Sequence, residues 1–173
     1  MDASRKLRMC SDFPHLIKWL RNNLMKKKKF KVPEGWVLFS HFEKLFELES
    51  NKEFKMAFKL TASHIYPKHG EKMNTRLPFQ LYSNTTAVAM ETYRDKNILS
   101  NIDSTIIYCK KINRPIDIMN SSKSDNGLKL DSQEYEDLDS FLIYLDLWKQ
   151  CSPTEFFYQI LLMKDFAQLF HVH

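Results

Sequence analysis

The sequence has 173 residues, 43% hydrophobic and 13% aromatic, which predicts one folded domain with a sizeable core and excludes a disordered chain. Its three glycines are too few for a turn-rich β-sandwich, and it contains neither GxGxxG nor GxxxxGK[ST], so a classical phosphate loop is excluded. No apolar run approaches the ~18 residues of a membrane span, and no secretory signal is evident, so we expect no membrane association.

The net charge of +5 is unevenly distributed along the chain. Residues 1–31 carry +8, residues 32–130 carry +3 and residues 131–173 carry −6. The basic first segment could follow a nucleic-acid backbone, form a solvated helix end or pair with the acidic last segment, and composition leaves all three open. Three widely separated cysteines predict free thiols in a reducing compartment, and their spacing indicates no zinc site.

The first predicted element is an amphipathic helix that begins beside Asp12. Asp12 is a favourable N-cap residue, and Pro14 suits the first helical turn. An apolar stripe at helical spacing follows, formed by Leu16, Ile17, Leu20 and Leu24. A capping role for Asp12 is therefore sufficient without any catalytic one.

Helical periodicity also dominates the rest of the chain. A helix is predicted over Trp36 to Leu48, with Phe39, Phe42, Leu45 and Phe46 on one face. After a polar break at 95–101, a helix is expected through Ile106, Ile107, Cys109 and Ile112, and residues 121–132 are a loop by composition. Two amphipathic helices, over about 134–150 and 153–170, complete the prediction.

The stretch 112–122 places one carboxylate and one amide on an otherwise apolar segment. Asp117 and Asn120 are three residues apart and would share a helical face. A carboxylate only accepts hydrogen bonds whereas an amide also donates, so the pair is able to read the N–H edge and the carbonyl of guanine. The plainer alternative, a helix C-terminus that happens to carry both residues, stays open.

Several separated motifs resemble one family in its own order. They are Asp12 to Lys18 with Arg21 to Leu24, the lysine-bearing segment 53–65, the segment 72–90 and the stretch 112–122. Together they resemble P-element-type transposases, including the animal homologues that carry a THAP zinc finger. The resemblance covers roughly residues 11–170. It implies an all-α fold, namely the helical GTP-binding insertion domain of such a transposase without the RNase H-like sheet.

The resemblance also implies a domain organisation. Residues 1–31 would be a basic segment with a remnant of the RNase H-like core, 32–164 the insertion domain and 165–173 a remnant of the returning catalytic helix. Segment 72–90 would be a helix whose first turn starts late or kinks at Pro78.

A guanine nucleotide site is implied by the same resemblance. Asp117 and Asp165 would bind the guanine edge with support from Asn120, while Lys59 and Lys72, next to Met73, would approach the phosphates of GTP bound with Mg²⁺. Ile116 stands where the family has an aromatic residue that stacks on the base, and Pro115 removes a backbone donor. For the two lysines, a solvated surface role remains an equal alternative. Hydrolysis is not expected without a P-loop or a Walker-type ligand set.

Family members cut DNA with two aspartates and one glutamate that hold Mg²⁺. Asp12 matches the second aspartate, Gln168 stands at the glutamate position, and the first aspartate would lie upstream of residue 1. We therefore expect no catalytic residue or metal site to function, and no transposase activity. Further expectations are nuclear localisation by the resemblance, or otherwise a cytoplasmic one, non-specific DNA contact through residues 5–31 and the potential for homo-oligomers. The rival class is a helical scaffold or degenerate transposase fragment that binds no nucleotide.

Overall fold

A computed structural model describes residues 12–119, 132–152 and 157–168, with the side chains of 157–159 and 166–168 left out of the description. The elements, in chain order, are α1 (Phe13–Lys27), β1 (Lys29–Val32), β2 (Gly35–Leu38), α2 (Phe39–Ser50), α3 (Ala62–Ile65), a 3₁₀ helix (His69–Met73), α4 (Arg76–Leu81), α5 (Asn84–Asp95), α6 (Asp103–Met119), α7 (Gln133–Cys151) and α8 (Phe157–Gln168). The all-α prediction is confirmed, and a single two-stranded hairpin is the only sheet within the described residues.

Helix α1 begins where the sequence predicts. The backbone oxygen of the N-cap residue Asp12 accepts from the amides of His15 and Leu16, at 3.0 and 3.2 Å. The Asp12 side chain does not cap the helix but contacts His15 Nδ1 at 2.6 Å. The apolar stripe is buried, since α1 packs against α4, α8 and β1.

The predicted helical start at Trp36 is wrong, because Trp36 lies in β2 and pairs with Lys31 across the hairpin. Burial along β1 alternates with a period of two, which is the pattern of a strand. The turn requires Gly35, whose φ is +136° and where an added Cβ would lie 2.6 Å from Ser104 Oγ. Helix α2 begins after the hairpin, at Phe39.

Segment 72–90 does not form one continuous helix. It is divided between the end of the 3₁₀ helix, α4 and most of α5. Pro78 is the third residue of α4, where a missing backbone N–H breaks no intrahelical bond. The chain then turns at Ser83, whose carbonyl accepts from the amides of Thr86 and Ala87 to start α5.

The last three helices follow the prediction closely. Helix α6 continues through Pro115 to Met119, and α7 and α8 occupy the two segments predicted for them. Residues 153–156 and 169–170 of the last predicted helix lie outside the described residues. None of the described helices is both long and apolar enough to cross a bilayer.

Aromatic side chains from four parts of the chain form the centre of the hydrophobic core. The Tyr108 ring centroid lies 5.1 Å from that of Phe30, 5.4 Å from Tyr82 and 5.7 Å from Trp148. Tyr144 joins the group 6.0 Å from Trp148. We call these five residues the aromatic core. Helices α1 and α8 contribute to the same continuous hydrophobic cluster, and the predicted domain boundaries after residues 31 and 164 fall inside β1 and α8.

Candidate functional site: a polar cleft beside the predicted phosphate lysines

A cleft of about 530 Å³ lies where the segment after α2 meets α3, the 3₁₀ helix and α4. One of the predicted phosphate ligands, Lys59, lines it. The remaining lining residues are mostly polar: Phe58, Thr61, Ser63, His64, Glu71, Asn74, Arg76, Leu77 and Gln80. We call this the polar cleft.

The loop that carries Lys59 is fixed to the body of the protein by a buried carboxylate. Glu49 accepts a hydrogen bond from the backbone amide of Ala57 through Oε2, at 2.9 Å. Its Oε1 accepts from the Tyr93 hydroxyl, which in turn accepts from Lys52 Nζ at 2.5 Å. Because these groups belong to α2, α5 and the loop itself, the backbone leading to Lys59 is held in one position.

A buried histidine sits on one side of the polar cleft. His64 Nδ1 accepts from the Thr61 backbone amide at 3.0 Å, so this nitrogen carries no proton. His64 Nε2 therefore carries the proton and donates to Gln80 Oε1 at 3.2 Å. Burial lowers the pKa of His64 below its ordinary value of 6.5, although the hydrogen bonds to Gln80 and Thr61 partly oppose this shift. The ring is therefore neutral near pH 7.

The 3₁₀ helix presents Lys72 and Met73 to solvent, and its backbone rests on a buried arginine. Arg21 Nη2 donates to the Lys72 carbonyl at 3.0 Å and to Asn22 Oδ1 at 2.9 Å. Its other terminal nitrogen, Nη1, has no hydrogen-bond partner within the described residues. Burial lowers the pKa of Arg21, against the raising effect of Tyr82 and Glu71 nearby.

The predicted guanine-binding residues occupy the far end of α6 and the body of α8. Asp117 is exposed, and its Oδ2 accepts from Asn113 Nδ2 at 2.5 Å. The Ile116 side chain is packed into the hydrophobic core at 4% exposure, so its face is not presented to a base. Asn120 lies outside the described residues.

Asp165 is exposed on α8, one turn after Leu162. Leu162 lines a groove together with Asn22, and the Asn22 amide is 3.4 Å from the Lys72 carbonyl. Helix α1, which carries Asn22, therefore contacts both α8 and the 3₁₀ helix. Across the described ranges, no hydrogen bond or ion pair joins Asp117 or Asp165 to either predicted phosphate lysine.

The basic first segment is only partly available to a polyanion. Lys18 and Arg21 are buried. Lys28 pairs with Glu43 at 3.0 Å, and Lys29 Nζ lies 4.9 Å from the Trp36 ring centroid. Besides these two, Lys26 near the end of α1 and Lys31 on β1 are exposed, which makes four exposed lysines between residues 26 and 31. Residues 5–11 fall outside the described part of the chain.

The residues matched to the transposase carboxylates do not form a metal centre in the described residues. Asp12 is exposed and contacts His15. Gln168 ends α8, and its side chain is outside the description. Across the three described ranges, no group of three or more His, Cys, Asp and Glu side chains is placed to hold a metal ion.

Sequence reasoning missed the roles of Arg21, His64, Arg76 and Gln80. The spacing Thr61-x-x-His64 was a detectable signal, since a side chain at the third helical position often binds back to the N-cap backbone. The contacts of His64 with Gln80 and of Arg21 with Lys72 had no local signal, because they join distant residues.

Comparison with known proteins gives three matches. The family model described as "TNP-like, GTP-binding insertion domain" matches residues 14–130, so the match includes α1. The Transposable element P transposase of Drosophila melanogaster is 28% identical over 135 residues, which cover 78% of this chain and 18% of that protein.

A solved structure, the Drosophila P element transposase strand transfer complex, shares the fold with a TM-score of 0.75 at 21% identity. The alignment covers 96% of this chain and 40% of that one. The chain therefore spans well under half the length of either relative.

Proposed function

Because the chain belongs to the TNP-like, GTP-binding insertion domain family, we propose that it binds a guanine nucleotide with its phosphates at the polar cleft. The position of Lys59 on this cleft is the observation that carries the proposal. Lys72 is on the adjacent 3₁₀ helix and is exposed, so its ammonium group is accessible to a ligand. Mg²⁺ would be held by phosphate oxygens and water, because the described residues offer no carboxylate cluster for it.

The guanine edge is assigned to Asp117 and Asp165, with Asn120 in support. Asp117 keeps Oδ1 available after its bond to Asn113, and both carboxylates are exposed. Since Ile116 is buried, selectivity would rest on hydrogen bonds to the base edge and not on stacking at that position. A wrong base would leave polar groups unpaired, at about 1–3 kcal/mol each.

Calorimetry tests this proposal directly. GTP with Mg²⁺ should bind more tightly than ATP, and Asp117→Asn should remove the preference because one carboxylate oxygen that accepts a guanine N–H becomes an NH₂ group, which only donates. Glu34→Gln is the matched control, since Glu34 is an exposed acid whose carbonyl contacts Ser104 at the start of α6, the opposite end of that helix from Asp117. Equal heats for GTP and ATP, or no heat with GTP at millimolar concentration, would contradict the proposal.

We also propose that the bound nucleotide is not hydrolysed and that the chain does not catalyse transposition. An amide at Gln168 is a poor ligand for Mg²⁺, which prefers anionic oxygen. A phosphate-release assay with GTP should stay at the level of the blank. Release that Asp117→Asn abolishes would contradict the first statement, and Mg²⁺-dependent DNA strand transfer by the chain would contradict the second.

A second candidate function, non-specific DNA contact, is favoured by the four exposed lysines near residues 26–31. Replacing Lys26, Lys29 and Lys31 by Gln should weaken DNA binding and flatten its dependence on salt, because each lysine that contacts a phosphate releases counterions. Fluorescence anisotropy with duplex DNA over a range of salt concentrations measures both effects. An unchanged salt slope would assign these lysines to the solvated surface.

A further inference from the structure

We propose that the polar cleft is a polyphosphate site in which Arg76 and the Gln80 carboxamide act together with Lys59, and in which His64 positions Gln80. The inference rests on the proposed nucleotide function and deepens it by naming the groups that hold the phosphate chain. Its volume, about 530 Å³, lies within the range of ~300–1,000 Å³ usual for small-molecule sites.

The first step concerns the orientation of Gln80. Because the Thr61 amide occupies Nδ1 of His64 as a donor, the opposite nitrogen must donate to Gln80. Gln80 therefore presents its oxygen to His64, and its NH₂ group is the end left for other contacts. Gln80 lines the cleft, so this fixed donor is available to an acceptor such as a phosphate oxygen.

The second step concerns charge. Lys59 and Arg76 line the cleft as exposed cations, and Glu71 is the only acid among the lining residues. Both Glu71 oxygens already accept hydrogen bonds, from Ser63 Oγ and from the Lys68 backbone amide at 2.7 Å each. These bonds fix the carboxylate in place and hold the pKa of Glu71 below its usual range.

Arg21 adds positive charge beneath the 3₁₀ helix that carries Glu71 and Lys72. It is fully buried and forms no ion pair with a carboxylate within the described residues, although it is close enough to Glu71 for their charges to interact. It supports the backbone of Lys72, which follows Glu71 directly. The cleft thus combines two exposed cations, a buried cation and an oriented amide donor against one acid, which favours an anionic ligand.

Inorganic tripolyphosphate is the probe, because it carries the phosphates without the base. Calorimetry with the full chain should show binding that weakens at least about tenfold in Gln80→Glu and in Arg76→Ala. Gln80→Glu retains an acceptor for His64 and places a negative charge where the amide donor was. Gln150→Glu and Lys96→Ala, at exposed positions on α7 and after α5, are the matched controls and should bind as the unmodified chain does.

The positioning role of His64 has its own readout. His64→Phe leaves the Gln80 carboxamide free to rotate, so tripolyphosphate binding should weaken by roughly threefold to tenfold. The Gln80 side-chain amide signals in a ¹H–¹⁵N spectrum should shift on adding tripolyphosphate to the unmodified chain. They should already be displaced in ligand-free His64→Phe. If the Gln80 amide signals shift neither on adding tripolyphosphate nor in His64→Phe, the positioning role of His64 is overturned.

The outcomes separate the inference from the proposed function. If tripolyphosphate binds and the cleft variants weaken it while GTP and ATP bind equally, the polyphosphate site stands and guanine selectivity fails. If GTP is preferred over ATP but both cleft variants bind GTP and tripolyphosphate normally, the polyphosphate site is overturned and the nucleotide function stands. Failure of the unmodified chain to bind tripolyphosphate at millimolar concentration also overturns the site.

Discussion

The aromatic core and the surroundings of the polar cleft differ in how strongly each depends on ring packing and on hydrogen bonds. In the core, the Tyr144 hydroxyl is buried without a hydrogen-bond partner among the described residues, while its ring lies 6.0 Å from that of Trp148. Around the cleft, the buried side chains of Glu49 and His64 are each bonded on both sides. The centre therefore depends mainly on ring packing, whereas hydrogen bonds fix the positions of Glu49 and His64 near the cleft.

Trp148→Ala should give the largest loss, because the indole ring contacts Phe30, Tyr108 and Tyr144, and Nε1 donates to the Lys31 carbonyl at 2.8 Å. We expect the free energy of unfolding to fall by about 3–5 kcal/mol. Urea titration measures it. Trp36→Ala is the control, since Trp36 is 50% exposed in β2 and should cost about 1 kcal/mol or less. Equal losses of unfolding free energy in the two variants would show that ring packing in the core does not dominate stability.

Glu49→Ala tests the hydrogen-bonded side of the comparison. The change leaves the Ala57 amide and the Tyr93 hydroxyl without their acceptor, so we expect a loss of about 2–4 kcal/mol. Hydrogen exchange at the Ala57 amide should accelerate as the loop before Lys59 opens. Glu47→Ala, at an exposed position on α2, is the control. Unchanged Ala57 exchange would remove the positional role assigned to Glu49.

Acid should lower the free energy of unfolding through two buried histidines, His64 and His41, the latter on α2 with Nδ1 2.7 Å from Thr105 Oγ1 of α6. Burial lowers the pKa values of both His41 and His64 from the ordinary 6.5. The unfolded chain therefore takes up protons first as pH falls, so their stabilising contribution is complete above about 6.5 and is lost as pH falls through the lowered values. Urea titrations between neutral and acid pH measure the slope. His41→Gln should flatten the slope, and an unchanged slope would contradict the contribution assigned to this histidine.

The sequence predicted the parts of this fold that local periodicity determines. The stripe from Leu16 to Leu24 located α1, and the same periodicity located α6 and α7. The hairpin was missed because its strands have only four residues each, and the apolar period of α2 was extended back over Trp36. The division of segment 72–90 was missed because the helix start at Ser83 was not recognised.

Of the residues that line the polar cleft, the sequence motifs pointed only to Lys59. The motif predicted that Lys59 approaches the phosphates, and Lys59 lines the cleft, while its phosphate-binding role stays a prediction. The partners that orient the cleft are brought together by the fold, with His64 and Gln80 in different helices and Arg21 and Lys72 separated by 51 positions. Their contacts depend on how α1, α3 and α4 pack, which short-range sequence patterns do not specify.

The smallest expected change in unfolding free energy tests the comparison most directly, because the same substitution, Tyr to Phe, is made in both regions. Tyr93→Phe removes a hydroxyl that donates to Glu49 and accepts from Lys52, so it should cost about 1–3 kcal/mol. Tyr144→Phe removes a buried hydroxyl with no partner among the described residues and keeps the ring against Trp148. That deletion should be neutral or stabilising by up to about 1 kcal/mol, since an unpaired polar atom leaves the interior. Urea titration of the two variants side by side measures the difference. Similar losses in both would mean that the Tyr144 hydroxyl is hydrogen-bonded in solution and that the two regions bury polar groups alike.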